Sequence, residues 1–480
     1  MNWQWEHIIL YLVCPILFIG TVLYGLLYSV KSIQIDTKYK VRFKLNNGKF
    51  KIDNIRRGVS IIGSAGSGKT ESVVYNFLQH FSQHGFCGVI HDYKDFELTE
   101  IAYPLFKNAK TSFYTVAFDD IHYRVNPIAP HYLPNEESVN EVSRVLMENL
   151  LEQNLSESKG SNKFFSDAVE GLLSGMIWKM KTGYPDFCTL PHIMALFQTL
   201  TTKQLVGFLQ SDLTSHSMAN AFISGIDSEK QTAGVNSTLA NAFKKISSQK
   251  LFYILSKDEV PLDVNNPQNP AVISLVNHPK YDAAYSPVIA MVMHTIIKQM
   301  SLRGKTSSFL LMEEAPTLKL PNMHRIPATL RSYDICTVYV MQDKVQNDLL
   351  YGDKASRAIL SNLSYQFFGK VNDPDTAKYY ERFFEIIKTP TKSISKSSGM
   401  SFESRITKGE REVSKRRADI FFKLKQGEFI AFADGKDKRV RFKLQHMTKE
   451  KPKQKVHFSE TDLAVHFQKI HRDVQSLFLN

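Results

Sequence analysis

The chain has 480 residues. At ~150 residues per domain this is about three units rather than one. Its 43% hydrophobic and 22% charged content excludes wholesale disorder. Sixty Lys+Arg against 47 Asp+Glu leave a formal +13, which points to a polyanion, either nucleic acid or an anionic membrane face. The four cysteines (Cys14, Cys87, Cys188, Cys336) are scattered, which excludes a disulfide scaffold and a cysteine-rich zinc site.

Ile8 to Val30 carries no Asp, Glu, Lys or Arg. Such a run is long enough for a ~30 Å hydrocarbon core. No base precedes it, so it does not read as a cleaved signal peptide. Lys31, Lys38, Lys40, Arg42, Lys44, Lys49, Lys51, Arg56 and Arg57 follow it, against Asp36 and Asp53. The positive-inside rule then predicts a single-pass anchor, amino terminus outside and bulk cytoplasmic.

Val59 to Ile62 reads as a buried strand. It runs into Gly63-Ser64-Ala65-Gly66-Ser67-Gly68-Lys69-Thr70, which fits GxxxxGK[ST], with Glu71 next. The glycines let backbone N–H groups close around phosphate. Lys69 suits the β/γ oxygens, and Thr70 is a candidate Mg²⁺ ligand. Val73, Val74, Phe77, Leu78 and Phe81 then repeat at helical spacing up to Gly85. Strand, glycine loop and helix together place an anion at a helix N-terminus, so ATP and Mg²⁺ are the expected cofactors.

Further strands are predicted at Cys87 to Asp92 and Ser112 to Phe118, a pattern that argues for a parallel α/β sheet. From about Pro134 to Leu255 helical patterns dominate, as in Ser138 to Gln153 and Phe164 to Met180. A strand resumes at Ala271 to Val276, and a helix is predicted over Pro287 to Leu302. Phe309 to Met312 is a buried strand ending in Glu313-Glu314. Glu313 is the candidate metal-site carboxylate and Glu314 the candidate base that polarises water. An acidic pair at a strand end is often merely solvated; the phosphate loop upstream favours the catalytic reading. Ile335 to Gln342 is another strand, and Gln342 at its end can both donate and accept, as a γ-phosphate sensor must.

The ordered set GSAGSGKT, VIHDYKDFE, VNPIAP, SFLLMEEAPTL, YVMQDKVQ and ILSNLSYQFFGKVNDPDTAKYYERFF resembles the type IV secretion coupling proteins of conjugation, the TraG/TraD-like ATPases. The EEAPTL form is similar to those of Bacteroidetes mobilisation proteins. The resemblance covers about residues 45 to 435. It implies a RecA-like P-loop core with an inserted all-α domain, a hexamer when active, and DNA, a relaxase and a secretion channel as partners. It also implies that Arg57 and Arg331 reach a neighbour's nucleotide, where a guanidinium offsets charge in the transition state. Glu313 stands where the family usually has Asp, and one span is seen where many members have two.

The implied organisation is an anchor (1–32), a first core segment (33–133), and a helical region (134–260) with the all-α insertion at about 185–235. The second core segment (261–445) and a linker with a terminal helix (446–480) complete it. Thr389 to Arg417 is expected to be a loop, Asp419 to Leu444 β-strands, and Phe458 to Leu479 a helix for partner contact. Two other functions fit the same motifs: a DNA pump of the FtsK/HerA kind with no tie to conjugation, and a cargo adaptor that uses nucleotide as a clamp. Glu314 argues against the adaptor, since a clamp has no use for a base.

Overall fold

The computed structural model describes residues 11, 13–30, 37–151, 161–396, 404–454 and 458–478. Its centre is a nine-stranded sheet. Along the chain the strands are β1 (Val41–Lys44), β2 (Lys49–Ile52), β3 (Val59–Ile62), β4 (Cys87–Asp92), β5 (Ser112–Ala117), β6 (Ala271–Val276) and β7 (Ser308–Met312). There follow β8 (Ile335–Met341), β9 (Tyr365–Phe368), β10 (Ile386–Lys396), β11 (Ser404–Ser414), β12 (Glu428–Ala433) and β13 (Lys436–Arg441). The sheet order is β13-β12-β9-β3-β8-β7-β4-β6-β5. From β9 to β5 every pairing is parallel; β12 and β13 add antiparallel at the β9 edge. The chain is mixed α/β with a parallel-rich sheet.

The parallel strands are short apolar runs because both their faces are covered. Alternate residues feed two cores. Ile62, Val89, Ile273, Leu310 and Tyr339 enter one. Ile61, Ile90, Val272, Leu311 and Val338 enter the other, with the β1–β2 hairpin and the helices Tyr75–Gln83 and Glu97–Phe106.

Between β5 and β6 the chain is helical. Among the described residues eight helices span Glu136–Leu150 to Gln249–Ile254. Their starts are written in side chains that bind the first free N–H groups: Asn135, Thr189, Thr201, Asp212, Ser228 and Ser248 each act as N-cap.

Three expectations need correction, and the expected membrane span is only partly described. Among the described residues no helix is long and apolar enough to cross a membrane. The apolar helix Cys14–Val30 has 17 residues, about 25 Å at 1.5 Å per residue. Ile8 to Leu10 and Leu12 lie outside the described residues. The segment expected as a loop holds the hairpin β10–β11, with Ile394 opposite Ile406; its residues are mostly polar and show no regular apolar alternation, so the pairing left no strand signal. Ala418–Phe422 is a helix and not a strand, and the strands begin at Glu428. The helix over the Pro287 region starts at Asp282, so Pro287 lies inside it.

The terminal helix Glu460–Phe478 has its apolar stripe against the chain's own body. Leu463, Ile470 and Val474 are buried, Phe467 lies 4.6 Å from Phe252 between ring centres, and Phe478 lies 4.8 Å from Tyr184.

Candidate nucleotide site

The loop grows out of β3, which lies between β8 and β9. Its entry is tied to both neighbours: Gly63 N donates to Met341 O at 3.2 Å, and Ser64 N to Lys370 O at 2.7 Å. Ser67 N then closes a turn onto Ser64 O at 3.1 Å. Gly66 (φ +73°) and Gly68 (φ +84°) take left-handed backbone, which glycine adopts without penalty. At Gly68 a Cβ would also sit 3.0 Å from Gly427 N, because the loop before β12 packs over this turn. Gly427 N donates to Ser67 O at 3.0 Å, so the C-terminal hairpin braces the loop. After Lys69 the chain enters a wide helical turn, Thr70–Val74, and then the helix Tyr75–Gln83.

The Lys69 ammonium is buried and donates to Gly63 O at 2.6 Å and to Ser64 O at 3.4 Å. Burial pulls its pKa down, while the Glu314 carboxylate pushes the other way. Glu71, in the first turn, is half-buried.

Beyond β8 lies β7, and Glu313 and Glu314 leave its carboxyl end; both are 4% exposed. Glu313 is clamped to β4 through its backbone. Its N–H donates to His91 O at 3.1 Å, and its carbonyl accepts from His91 Nδ1 at 2.8 Å. Glu314 has φ +47°, uncommon for a residue with a side chain. Such backbone costs on the order of 1 kcal/mol and persists where the surroundings enforce it. In this conformation Glu314 Oε2 accepts from Gln342 Nε2 at 3.2 Å. The structure therefore brings Lys69, Glu313, Glu314 and Gln342 to one end of the sheet.

Lys94, which the motif reading passed over, stands beside the pair. Its ammonium is 3.6 Å from Glu313 Oε1 and 3.8 Å from Glu97. Burial pushes Glu313 up to about 8; the Asp92 charge adds to this and Lys94 opposes it. Asp92 ends β4, fully buried, and accepts from the backbone of Lys94, Leu98 and Thr99 and from the Thr99 hydroxyl. Asp92 stands at the carboxyl end of β4, the strand beside β7.

The donor set fits a magnesium-bound triphosphate. The Ser67 hydroxyl, Glu313 Oε2 and Glu314 Oε1 are buried with no hydrogen-bond partner. Phosphate oxygens would satisfy the first; a divalent cation and its water shell would satisfy the carboxylates.

Arg57 and Arg331 are not brought to this chain's loop. Each precedes the amino end of a parallel strand, β3 and β8, whereas the loop is at the carboxyl end. Arg57 pairs with Asp434 at 2.6 Å and lies 5.6 Å from the Tyr365 ring centre; Arg331 is exposed.

Residues 308–418 match the family described as the TraM recognition site of TraD and TraG. Over the whole chain, the structure is similar to the unbound bacterial conjugative coupling protein TrwBdeltaN70. The TM-score is 0.67 at 14% identity, covering 86% of this chain and 90% of that one. The chain has the fold of a conjugative coupling protein. TrwB in complex with ADP and Mg²⁺ gives a TM-score of 0.63 at 14% identity, over 83% of this chain and 88% of that one. VirB4 of Thermoanaerobacter pseudethanolicus is less similar, with a TM-score of 0.52 at 12% identity, over 84% and 96%. No curated protein sequence matches the chain.

Proposed function

We propose that the chain is a membrane-anchored, ATP-hydrolysing coupling protein that drives DNA transfer in conjugation or mobilisation. One observation carries this reading. A chain with the coupling-protein fold, and with a TraD/TraG-family match that contains Glu313, Glu314 and Gln342, also assembles a phosphate loop against those three residues.

TrwB has been seen with a non-hydrolysable ATP analogue and with ADP and Mg²⁺, which supports ATP and Mg²⁺ as the cofactors here. Gly63 to Glu71 would hold the phosphates, and Thr70 and Glu313 the cation. Bound nucleotide with its cation supplies the phosphoryl-transfer chemistry. The chain's own residues do the rest. Lys69 neutralises phosphate charge. Glu314 takes a proton from the attacking water, and Gln342 holds its carboxylate in place. Arg57 and Arg331, at the amino ends of the parallel strands, would serve the nucleotide of an adjacent subunit in a hexamer.

The apolar helix Cys14–Val30 and its basic flank support anchoring in the inner membrane, with the bulk of the chain cytoplasmic. DNA, a relaxase and the secretion channel are the partners this role requires. A mating experiment tests the role. Lys69→Ala in place of the native chain is expected to reduce plasmid transfer to background, and undiminished transfer would remove the motor from the account.

A further inference from the structure

A second polar cavity lies away from the nucleotide site, at the seam between β1 and the helix Tyr75–Gln83. Its volume is about 260 Å³. On β1, Val41 and Phe43 are buried in the core, so the strand's period of two turns Lys40, Arg42 and Lys44 to the other side. The helix answers with Asn76, Gln79 and Gln83, spaced as one stripe. No acidic residue lines the cavity. Lys40 shares Asp53 with Lys51, at 3.3 Å each. Among the described residues Arg42 and Lys44 form no ion pair; Lys44 donates to the Gln445 amide at 2.9 Å. Cations and amide donors around a cavity without acid are the chemistry that holds a phosphate ester.

Chain order indicates where the phosphate comes from. Thr37, on the cavity wall, is seven residues after Val30, the end of the apolar helix. Seven residues span at most about 25 Å. We propose that this cavity binds the phosphate headgroup of an anionic phospholipid, which docks the motor domain against the membrane surface. The proposal rests on the membrane-anchored reading above. The cavity wall is also linked to the nucleotide loop. Gln445 Nε2 donates to Asn76 Oδ1 at 3.1 Å, and Asn76 Nδ2 donates to Ser72 O at 2.6 Å, in the first turn after Lys69.

The test uses the full chain in neutral detergent. Short-chain phosphatidylglycerol, short-chain phosphatidylcholine, inorganic phosphate and a single-stranded oligonucleotide are titrated separately, and the thermal midpoint is followed. Phosphatidylglycerol is expected to raise the midpoint saturably, at concentrations at least about tenfold below those phosphate needs. Phosphatidylcholine is expected to do nothing. Arg42→Ala/Lys44→Ala should abolish the shift. Gln79→Glu, which keeps both cations but adds a carboxylate, should also abolish it. An unchanged shift in both variants overturns the proposal, as does an equal shift with phosphatidylcholine. An oligonucleotide acting at lower concentration than the lipid, and sensitive to the same variants, overturns it in favour of nucleic acid. Flotation on phosphatidylcholine vesicles after a carbonate wash tests the anchor separately. A chain that floats without headgroup binding refutes the cavity and keeps the anchor. Headgroup binding by a chain that does not float keeps the cavity and refutes the anchor.

Discussion

Glu314 is turned to Gln342 by an unusual backbone conformation, and the two side chains form one unit. Gln342→Leu should therefore lower the turnover rate by roughly 10–10²-fold with little change in nucleotide affinity, and its effect should not add to that of Glu314→Gln. Steady-state kinetics on the single and double variants checks this; additive losses would mean the 3.2 Å contact has no catalytic consequence. Lys69→Ala should instead abolish binding of a fluorescent ATP analogue, because its ammonium is the nearest cation to the loop's interior. Most of this group was legible before the fold. Glu313, Glu314 and Gln342 stand at the ends of apolar runs, and Lys69 follows the glycine loop that leaves another, where a parallel sheet presents its residues to ligand. Lys94 and Asp92 were not read because their roles come from β4 lying next to β7, a pairing between strands far apart in sequence. Glu314's left-handed backbone leaves no mark in composition at all.

At the scale of elements, β3, β4 and β6, buried on both faces, were readable with their bounds as short apolar-rich runs, whereas β9, equally buried, was not read as a strand. Elements of polar composition were not readable. The β10–β11 hairpin is mostly Ser, Thr, Lys, Arg and Glu without a regular apolar period, and its strands are a fact of pairing. The terminal helix was read as amphipathic; that its stripe meets this chain's own helices is a tertiary fact. Ile470→Ala should cost about 2–5 kcal/mol, seen as a lower urea midpoint. The same interface has a titrating residue. His192, whose Nδ1 lies 2.6 Å from the Thr189 hydroxyl and whose Nε2 lies 3.8 Å from Asp473, is pushed down to about 4 by burial. A free histidine titrates near ~6.5. Between those values the unfolded chain binds a proton that the folded chain refuses, so this residue's contribution to stability falls as pH drops from about 6.5 to about 4 and is constant above. His192→Gln should reduce that slope, without removing the share of the likewise depressed His80 and His91, in urea midpoints measured across the range.

For the whole molecule, the geometry separates the loop from the arginines. Arg57 and Arg331 lie at the opposite end of the strands from their own Lys69, and Arg57's exposed pair with Asp434 is worth only ~0–1 kcal/mol and can be given up. If subunits complete one another's sites, Lys69→Ala and Arg331→Ala chains, each inactive by itself, should regain partial ATPase activity when mixed before assembly. No recovery at any ratio would place both residues in the same site. The surplus of positive charge also divides by position: one group follows the apolar helix and flanks the β1 cavity, and the rest is spread over the motor. The most direct measurement is ATP hydrolysis by purified Glu314→Gln beside the native chain, with and without DNA. The account predicts that the variant still binds ATP but hydrolyses it roughly 10²–10⁴-fold more slowly, and that DNA stimulates the native chain alone. Hydrolysis by the variant at the native rate would contradict it.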